Sequence, residues 1–262
     1  MESKALQGKV ALVTGAARGL GSAISRQLVD AGARVMLTDI DDTEGRVTAD
    51  AIRAAFLRHD VTDEGNWQRV IQWVIDRTGR LDVVINNAGI ETSALIVNCE
   101  LADFKRVMSV NVEGCFLGTK WALRTMRPGG ASGRGGTVIN LSSVAGLVGV
   151  VGLGSYCAAK GAVRLLTKSA ALESARLGYG VRVNSIHPAV IKTDMGSAVI
   201  ESLVDLGLAA NSETADKLMQ QIHPMGYGQP EDVAEAVLYL AADSGRWING
   251  AEFVLDGGLT AG

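Results

Sequence analysis

Tyr156 and Lys160 stand four residues apart in a stretch that predicts a helix from about Ser155 to Leu177, so both side chains share one helix face. A free phenol loses its proton at a pH of about 10, and an ammonium beside it stabilises the phenolate and lowers that value. The pair is a candidate proton-transfer device. The same spacing occurs by accident on helix surfaces, so its neighbours decide. Ser142-Ser143 close the strand pattern Gly136–Leu141, and ligand sites of parallel sheets lie at such strand ends.

A second constellation lies near the start. Thr14-Gly15-Ala16-Ala17-Arg18-Gly19-Leu20-Gly21 follows a strand pattern, Val10–Thr14, and opens a helix. Glycines permit a tight turn and let the backbone approach a pyrophosphate, whose charge the helix N-terminus stabilises. The next strand pattern, Ala33–Asp39, ends in a carboxylate twenty residues beyond Gly19. A carboxylate there accepts hydrogen bonds from an adenosine ribose and repels a 2′-phosphate, which favours NAD over NADP. Arg18 is a competing signal, because it stands where it can reach a 2′-phosphate.

The elements that must position these residues are legible as alternation. Strand patterns at Val10–Thr14, Ala33–Asp39, Leu81–Asn86, Gly136–Leu141 and Val181–Ile186 are separated by helical ones. This predicts an α/β fold, a parallel sheet covered on both faces. Trp67, Val70, Ile71, Val74 and Ile75 form a core-facing stripe at helical spacing. A long helix is expected from about Leu101 to Met126, stopped by Pro128 and a glycine-rich turn. Val190 to Gln221 is apolar and weakly patterned, and reads as a mobile lid, poorly ordered until a ligand closes it. Pro230 starts a last helix, and Glu252–Leu255 supplies a last strand.

Composition narrows the class. The chain has 262 residues, 47% of them hydrophobic and 20% charged, and no linker or repeat divides it, so one domain spanning 1–262 is expected. The formal charge of −3 comes from mixed signs without a basic run, which argues against nucleic acid. The opening, Met1-Glu2-Ser3-Lys4-Ala5, lacks a secretory pattern, and no apolar run has membrane length. Three cysteines without CxxC spacing fit a reducing, cytoplasmic setting. His59, His187 and His223 are scattered, so no catalytic metal is indicated and core or surface roles are expected for them.

Together, Thr14 to Gly21 as TGxxxGxG, Asp60-Val61, Asn86-Asn87-Ala88-Gly89, Asn111, Ser143 and Tyr156 to Lys160 as YxxxK resemble the short-chain dehydrogenase/reductase family over nearly the whole chain. The resemblance implies one Rossmann-type, doubly wound domain. It selects Ser143, thirteen residues before Tyr156, over Ser142. It implies that Tyr156 is the general acid/base, that Ser143 orients the reacting oxygen, and that Lys160 binds the nicotinamide ribose and lowers the tyrosine pKa. Asn111 is implied to hold a water that links Lys160 to solvent. Implied cofactor contacts are Gly15, Arg18, Gly19, Leu20, Gly21, Asp39, Ile40, Asp60, Val61, Asn87, Ala88, Gly89, Ile191 and Thr193, with Tyr156 and Lys160. Asn86 is left to the sheet. Ala189 departs from the glycine usual after the proline at 188, which restricts the backbone there.

The implied reaction is hydride transfer between NAD and an alcohol or ketone carbon. Expected substrate contacts are Ser143, Ala145, Leu153, Tyr156 and Met195, in a wall that Val144, Val150, Val199, Ile200, Leu203, Leu206 and Leu208 extend. A wall so apolar suits a hydrophobic secondary alcohol, cyclic or steroid, as in the similar bacterial hydroxysteroid and secondary-alcohol dehydrogenases. A 3-oxoacyl-thioester reductase is the alternative, and a non-catalytic nucleotide sensor a third reading. The resemblance also implies a homotetramer, paired through the helices near Leu101–Met126 and Ser155–Leu177. On these, Phe116, Leu117, Trp121, Leu123, Ala158, Ala162, Leu165, Leu166, Ala170 and Ala171 are the expected contact residues.

Overall fold

The computed structural model describes residues 4–261, so Met1–Ser3 and Gly262 of the expected domain lie outside the described residues. Seven strands form one sheet: β1 Val10–Thr14, β2 Arg34–Asp39, β3 Ala55–Arg58, β4 Val83–Asn86, β5 Gly136–Leu141, β6 Val181–Pro188 and β7 Glu252–Leu255. Their order is β3-β2-β1-β4-β5-β6-β7, and every pairing is parallel. The order reverses between β1 and β4, which opens a crevice at their C-terminal ends, where a doubly wound sheet takes its ligand.

The sheet is buried on both sides because its inner strands are mostly apolar on both faces, with alternate side chains facing opposite ways. Ala11, Val13, Leu37, Ile85 and Ile139 face a core closed by α1 (Gly19–Asp30), α2 (Asp42–Ala51) and α9 (Pro230–Ala241). Val10, Leu12, Met36, Val84 and Val138 face a second core, closed by α3 (Glu64–Thr78), α5 (Gly114–Met126) and α6 (Gly154–Arg176). Trp67, Val70, Ile71 and Val74 supply the α3 stripe, with Trp67 fully buried.

Three expectations are corrected. The long helix from Leu101 is not continuous: α4 (Leu101–Met108) and α5 are joined by a π-helical turn, Ser109–Glu113, with Asn111 in it. Beyond the turn, Gly114 lies against Val61 so closely that a Cβ would stand 2.8 Å from its Cγ2, so the helix is seated by a contact that helical spacing does not encode. The lid from Val190 to Gln221 contains two regular helices, α7 (Asp194–Asp205) and α8 (Ser212–Gln221). Their N-termini are capped by Thr193 and Asn211, whose side chains accept from the backbone N–H of Gly196 and Thr214. Third, Leu117, Leu123, Ala170 and Ala171 are buried in the second core of the chain itself and leave Phe116, Ala158 and Leu165 as outward residues of those helices.

Candidate active site

The glycine-rich turn is shaped by contacts that exclude side chains. Gly15 has φ +63°, and a Cβ there would meet Ala88 Cα at 2.7 Å. At Gly21 a Cβ would stand 2.1 Å from the Gly15 carbonyl oxygen. Gly19, also at positive φ, faces open space bounded by the Thr193 methyl, 3.8 Å from where its Cβ would be. No side chain caps α1, so the N–H groups of its first turn point unclaimed into that space. A bare helix N-terminus beside an open glycine fits the pyrophosphate of a dinucleotide.

Asp39 ends β2, and its carboxylate accepts from the backbone N–H of Ala17 at 3.0 Å and of Asp41 at 3.0 Å. The acid is thus fixed beside the turn. Arg18 is exposed and approaches Asp41 at 3.8 Å. Ile40 is exposed next to it, and Leu20 packs partly against the first core. Asp60 accepts from the N–H and hydroxyl of Thr62, and Val61 is buried. Asn87, expected as a cofactor contact, donates from Nδ2 to the carbonyls of Thr14 and Gly15, both at 2.9 Å. It clamps the turn after β1 to the turn after β4. Asn86 reaches Asn140 across the sheet at 2.8 Å.

The reacting group lies at the ends of β5 and β6. The Ser142 hydroxyl donates to the Lys160 carbonyl at 2.9 Å and is buried, whereas Ser143 is half-buried beside Tyr156. The Ser143 Oγ donates to the Pro188 carbonyl at 3.3 Å and accepts from Ala145 N–H at 3.1 Å. Lys160 is buried, with Nζ donating to the Leu141 carbonyl at 2.7 Å and standing 5.4 Å from the centre of the Tyr156 ring. Burial lowers its pKa to about 8.

Tyr156 and Asn111 are each governed by what encloses them. Burial pushes the Tyr156 phenol up, against the opposing influence of the Ser143 hydroxyl, so it lies above its ordinary range and not below it. Taking a phenolate out of water is the largest influence on the group. Asn111 is buried and uses both polar side-chain atoms on one residue: Oδ1 accepts from Ile90 N–H and Nδ2 donates to the Ile90 carbonyl, each at 2.8 Å. It therefore pins the Gly89–Ile90 turn. Gly89 lies between this amide and Lys160, with its Cβ position 3.2 Å from Asn111 Oδ1 and 3.6 Å from Lys160 Nζ.

The substrate wall is assembled from several segments. Val144, Ala145 and Leu153 are buried, and Leu206 comes so near Gly152 that a Cβ there would meet its Cδ1 at 2.4 Å. Met195 is exposed at the start of α7, and no residue of α7 is fully buried. Ile191 is bridged to Gly228, while Thr193 faces Gly19. Ala189 has no positive φ, so the substitution of glycine is accommodated without strain. Two residues near the site, Glu91 and His187, were not read from the sequence as site residues. Glu91, which accepts from the Ser93 hydroxyl, lies near enough for its charge to raise the Tyr156 phenol. His187, expected as a core or surface residue, is buried against Ser143, with Nδ1 at 3.1 Å from the Ser143 carbonyl. Its signal was only its place on the strand leading to Pro188.

The family model described as Enoyl-(Acyl carrier protein) reductase matches residues 15–260. An NADP-dependent (R)-specific alcohol dehydrogenase of Lentilactobacillus kefiri is 40% identical, over 98% of both chains. A 3-alpha-(or 20-beta)-hydroxysteroid dehydrogenase of Mycobacterium bovis is 40% identical over 98% of this chain and 91% of its own. A cyclopentanol dehydrogenase of Comamonas testosteroni is 36% identical over 97% of each. The crystal structure of levodione reductase superposes with a TM-score of 0.89 at 31% identity, over 98% of this chain and 99% of that one. With a doubly wound parallel sheet and matches of this extent, the chain belongs to the short-chain dehydrogenase/reductase family of nicotinamide-dependent oxidoreductases.

Proposed function

We propose that this protein interconverts a hydrophobic secondary alcohol, cyclic or steroid in shape, and its ketone, with NAD as the preferred cofactor. The observation that carries the reading is the convergence of Ser143, Tyr156 and Lys160 at one sheet end, under the partly unburied apolar helix α7. When bound, the nicotinamide ring supplies the hydride chemistry. The N–H groups at the start of α1 would hold its pyrophosphate, Asp39 the adenosine ribose, and Asp60 and Val61 the adenine. Tyr156 and Lys160 would hold the nicotinamide ribose, and Ile191 and Thr193 the carboxamide.

Tyr156 gives its phenolic proton to the ketone oxygen in reduction and takes it back in oxidation. Ser143 donates a hydrogen bond to the same oxygen and fixes its direction. Its lone pair is engaged by Ala145 N–H, which leaves its own hydrogen to point outward when the Pro188 carbonyl releases it. Lys160 supplies positive charge near the phenol, while α7 and Leu206 exclude water. The relatives named for an alcohol, a hydroxysteroid and cyclopentanol support this substrate class. The family description, which names an enoyl thioester reductase, is the competing reading and belongs in the same assay.

The test is reduced-nicotinamide absorbance, rising with NAD and cyclopentanol, cyclohexanol or a 3-hydroxysteroid, and falling with NADH and an enoyl or 3-oxoacyl thioester. Tyr156→Phe is expected to lower kcat by at least about 10²–10⁴-fold while NAD still binds. A variant with near-normal kcat removes Tyr156 from the mechanism, and turnover of the thioester alone replaces the substrate reading.

For the cofactor, the Asp39 carboxylate stands beside the glycine-rich turn, where it would repel a 2′-phosphate, and Arg18 is directed at Asp41. NAD is therefore preferred, and Asp39→Ala with Arg18 retained relaxes kcat/KM toward NADP. The NADP dependence in the name of the Lentilactobacillus relative is the opposing indication. A parent enzyme that prefers NADP would overturn this assignment.

A further inference from the structure

We propose that His187, held in one tautomer by the Ser143 carbonyl and braced by Ser185, is a positioning residue that sets the orientation of Ser143 and so the rate of the chemical step. The inference rests on Ser143 binding the reacting oxygen. The last register pair between β5 and β6 short of Ser143 is Leu141 with Ile186, and Ser142 N–H donates to the Ile186 carbonyl at 2.8 Å. Beyond it, Pro188 has no N–H to continue the ladder. Ser143 is therefore an extended residue past the end of its strand, at φ −167° and ψ 161°, that needs other partners.

Side chains of β6 provide them. Ser185 and His187 are two apart, hence on one face of the strand, and both are fully buried. The His187 ring bridges the Ser185 Oγ, 2.8 Å from Nε2, and the Ser143 carbonyl, 3.1 Å from Nδ1. A carbonyl can only accept, so Nδ1 carries the proton. In a neutral ring Nε2 then accepts from the Ser185 hydroxyl. Burial of the ring, which disfavours its charged form, agrees with this state. One residue further, the Pro188 carbonyl accepts from the Ser143 hydroxyl. The end of β6 thus grips Ser143 at its carbonyl through His187 and at its hydroxyl through Pro188. A change at His187 rotates the peptide that carries the hydroxyl, with the ring itself touching neither substrate nor cofactor.

The test is a double-mutant cycle on oxidation of cyclohexanol with NAD, alongside ¹⁵N NMR of the histidine rings. His187→Leu is expected to lower kcat about tenfold to a hundredfold, the scale of a misplaced reacting group, with KM for NAD unchanged. His187→Asn, which keeps an amide donor near the Nδ1 position, recovers most of the loss. In the Ser143→Ala background His187→Leu has little further effect. In the parent protein the His187 ring is protonated at Nδ1, and Ser185→Ala, which leaves the Ser143 carbonyl in place, keeps that tautomer. Additive losses in the cycle, equal losses for Leu and Asn, or a ring protonated at Nε2 each overturn the inference. The tautomer measurement needs no turnover, so it decides the geometry whichever substrate the enzyme takes. A Ser143→Ala enzyme with full turnover sinks instead the reading of Ser143 on which the inference rests.

Discussion

At the scale of single residues, the site is governed by burial more than by charge pairing. Tyr156 and Lys160 both have their charged forms disfavoured by the same enclosure, so the proton is held on the phenol until a reacting oxygen competes for it. His59 shows the same physics away from the chemistry. It is buried, makes an edge contact with Trp67 at 4.5 Å, and is bonded through Nδ1 to Thr38 Oγ1 at 3.1 Å. Nε2 has no partner among the described residues, and desolvation, its largest influence, lowers the pKa from 6.5 to about 4. A depressed histidine contributes stability that is complete above the unfolded value and is lost as pH falls, because the unfolded chain takes up a proton that the folded one refuses. Unfolding by denaturant is therefore expected to become easier by about 3 kcal/mol between about pH 6.5 and pH 4. His59→Gln should flatten that slope. Identical slopes in parent and variant would show that another group sets it.

At the scale of elements, the lid is the part whose state couples to function. Helices α7 and α8 are formed and capped, yet α7 buries none of its residues fully, and Met195 and Leu208 are 40% and 41% exposed. A helix with an apolar stripe and little burial is held by local capping and a few contacts, such as Leu206 on Gly152. Addition of NAD with a hydrophobic alcohol is expected to slow amide hydrogen exchange across 190–221 more than across α3, as substrate gives the stripe something to cover. Equal protection of the segment with and without ligands would count against a closing lid. The π-helical turn at Ser109–Glu113 belongs to this scale as well. It breaks the helical register where Asn111 pins the Gly89–Ile90 turn beside Lys160, a placement at functional sites that such turns often have.

At the scale of the molecule, we propose a homotetramer. Phe116, Leu165 and Leu172 are 47%, 65% and 59% exposed on α5 and α6, although four of the residues first expected in that contact are buried within the chain. At the far edge of the sheet, β7 has one free side, with Val254 on it 40% exposed and Trp247 in the preceding loop 95% exposed. Two separate apolar surfaces, one on paired helices and one on a free strand edge, suit two different two-fold contacts. Sedimentation at micromolar concentration is expected to give four times the 27.4 kDa chain. A 27.4 kDa particle overturns the assembly, and a dimer removes the second contact alone.

What the sequence by itself determined is what depends on near neighbours along the chain. Mostly apolar strand runs, the glycine-rich turn after the first of them, and the shared face of Tyr156 and Lys160 are all fixed within a strand or a helical turn, so their spacing was enough to read them. The short edge strand Ala55–Arg58 was absent from those runs, being half-buried and only four residues long. The tertiary structure alone decided the rest. Asn87 clamps a turn 72 residues away, His187 grips a serine 44 residues away, and Asn111 binds a peptide 21 residues away, pairings that local spacing does not encode. The direction of the Tyr156 shift was decided the same way. Desolvation is set by everything packed around a group, and that sum exists only once the chain has folded.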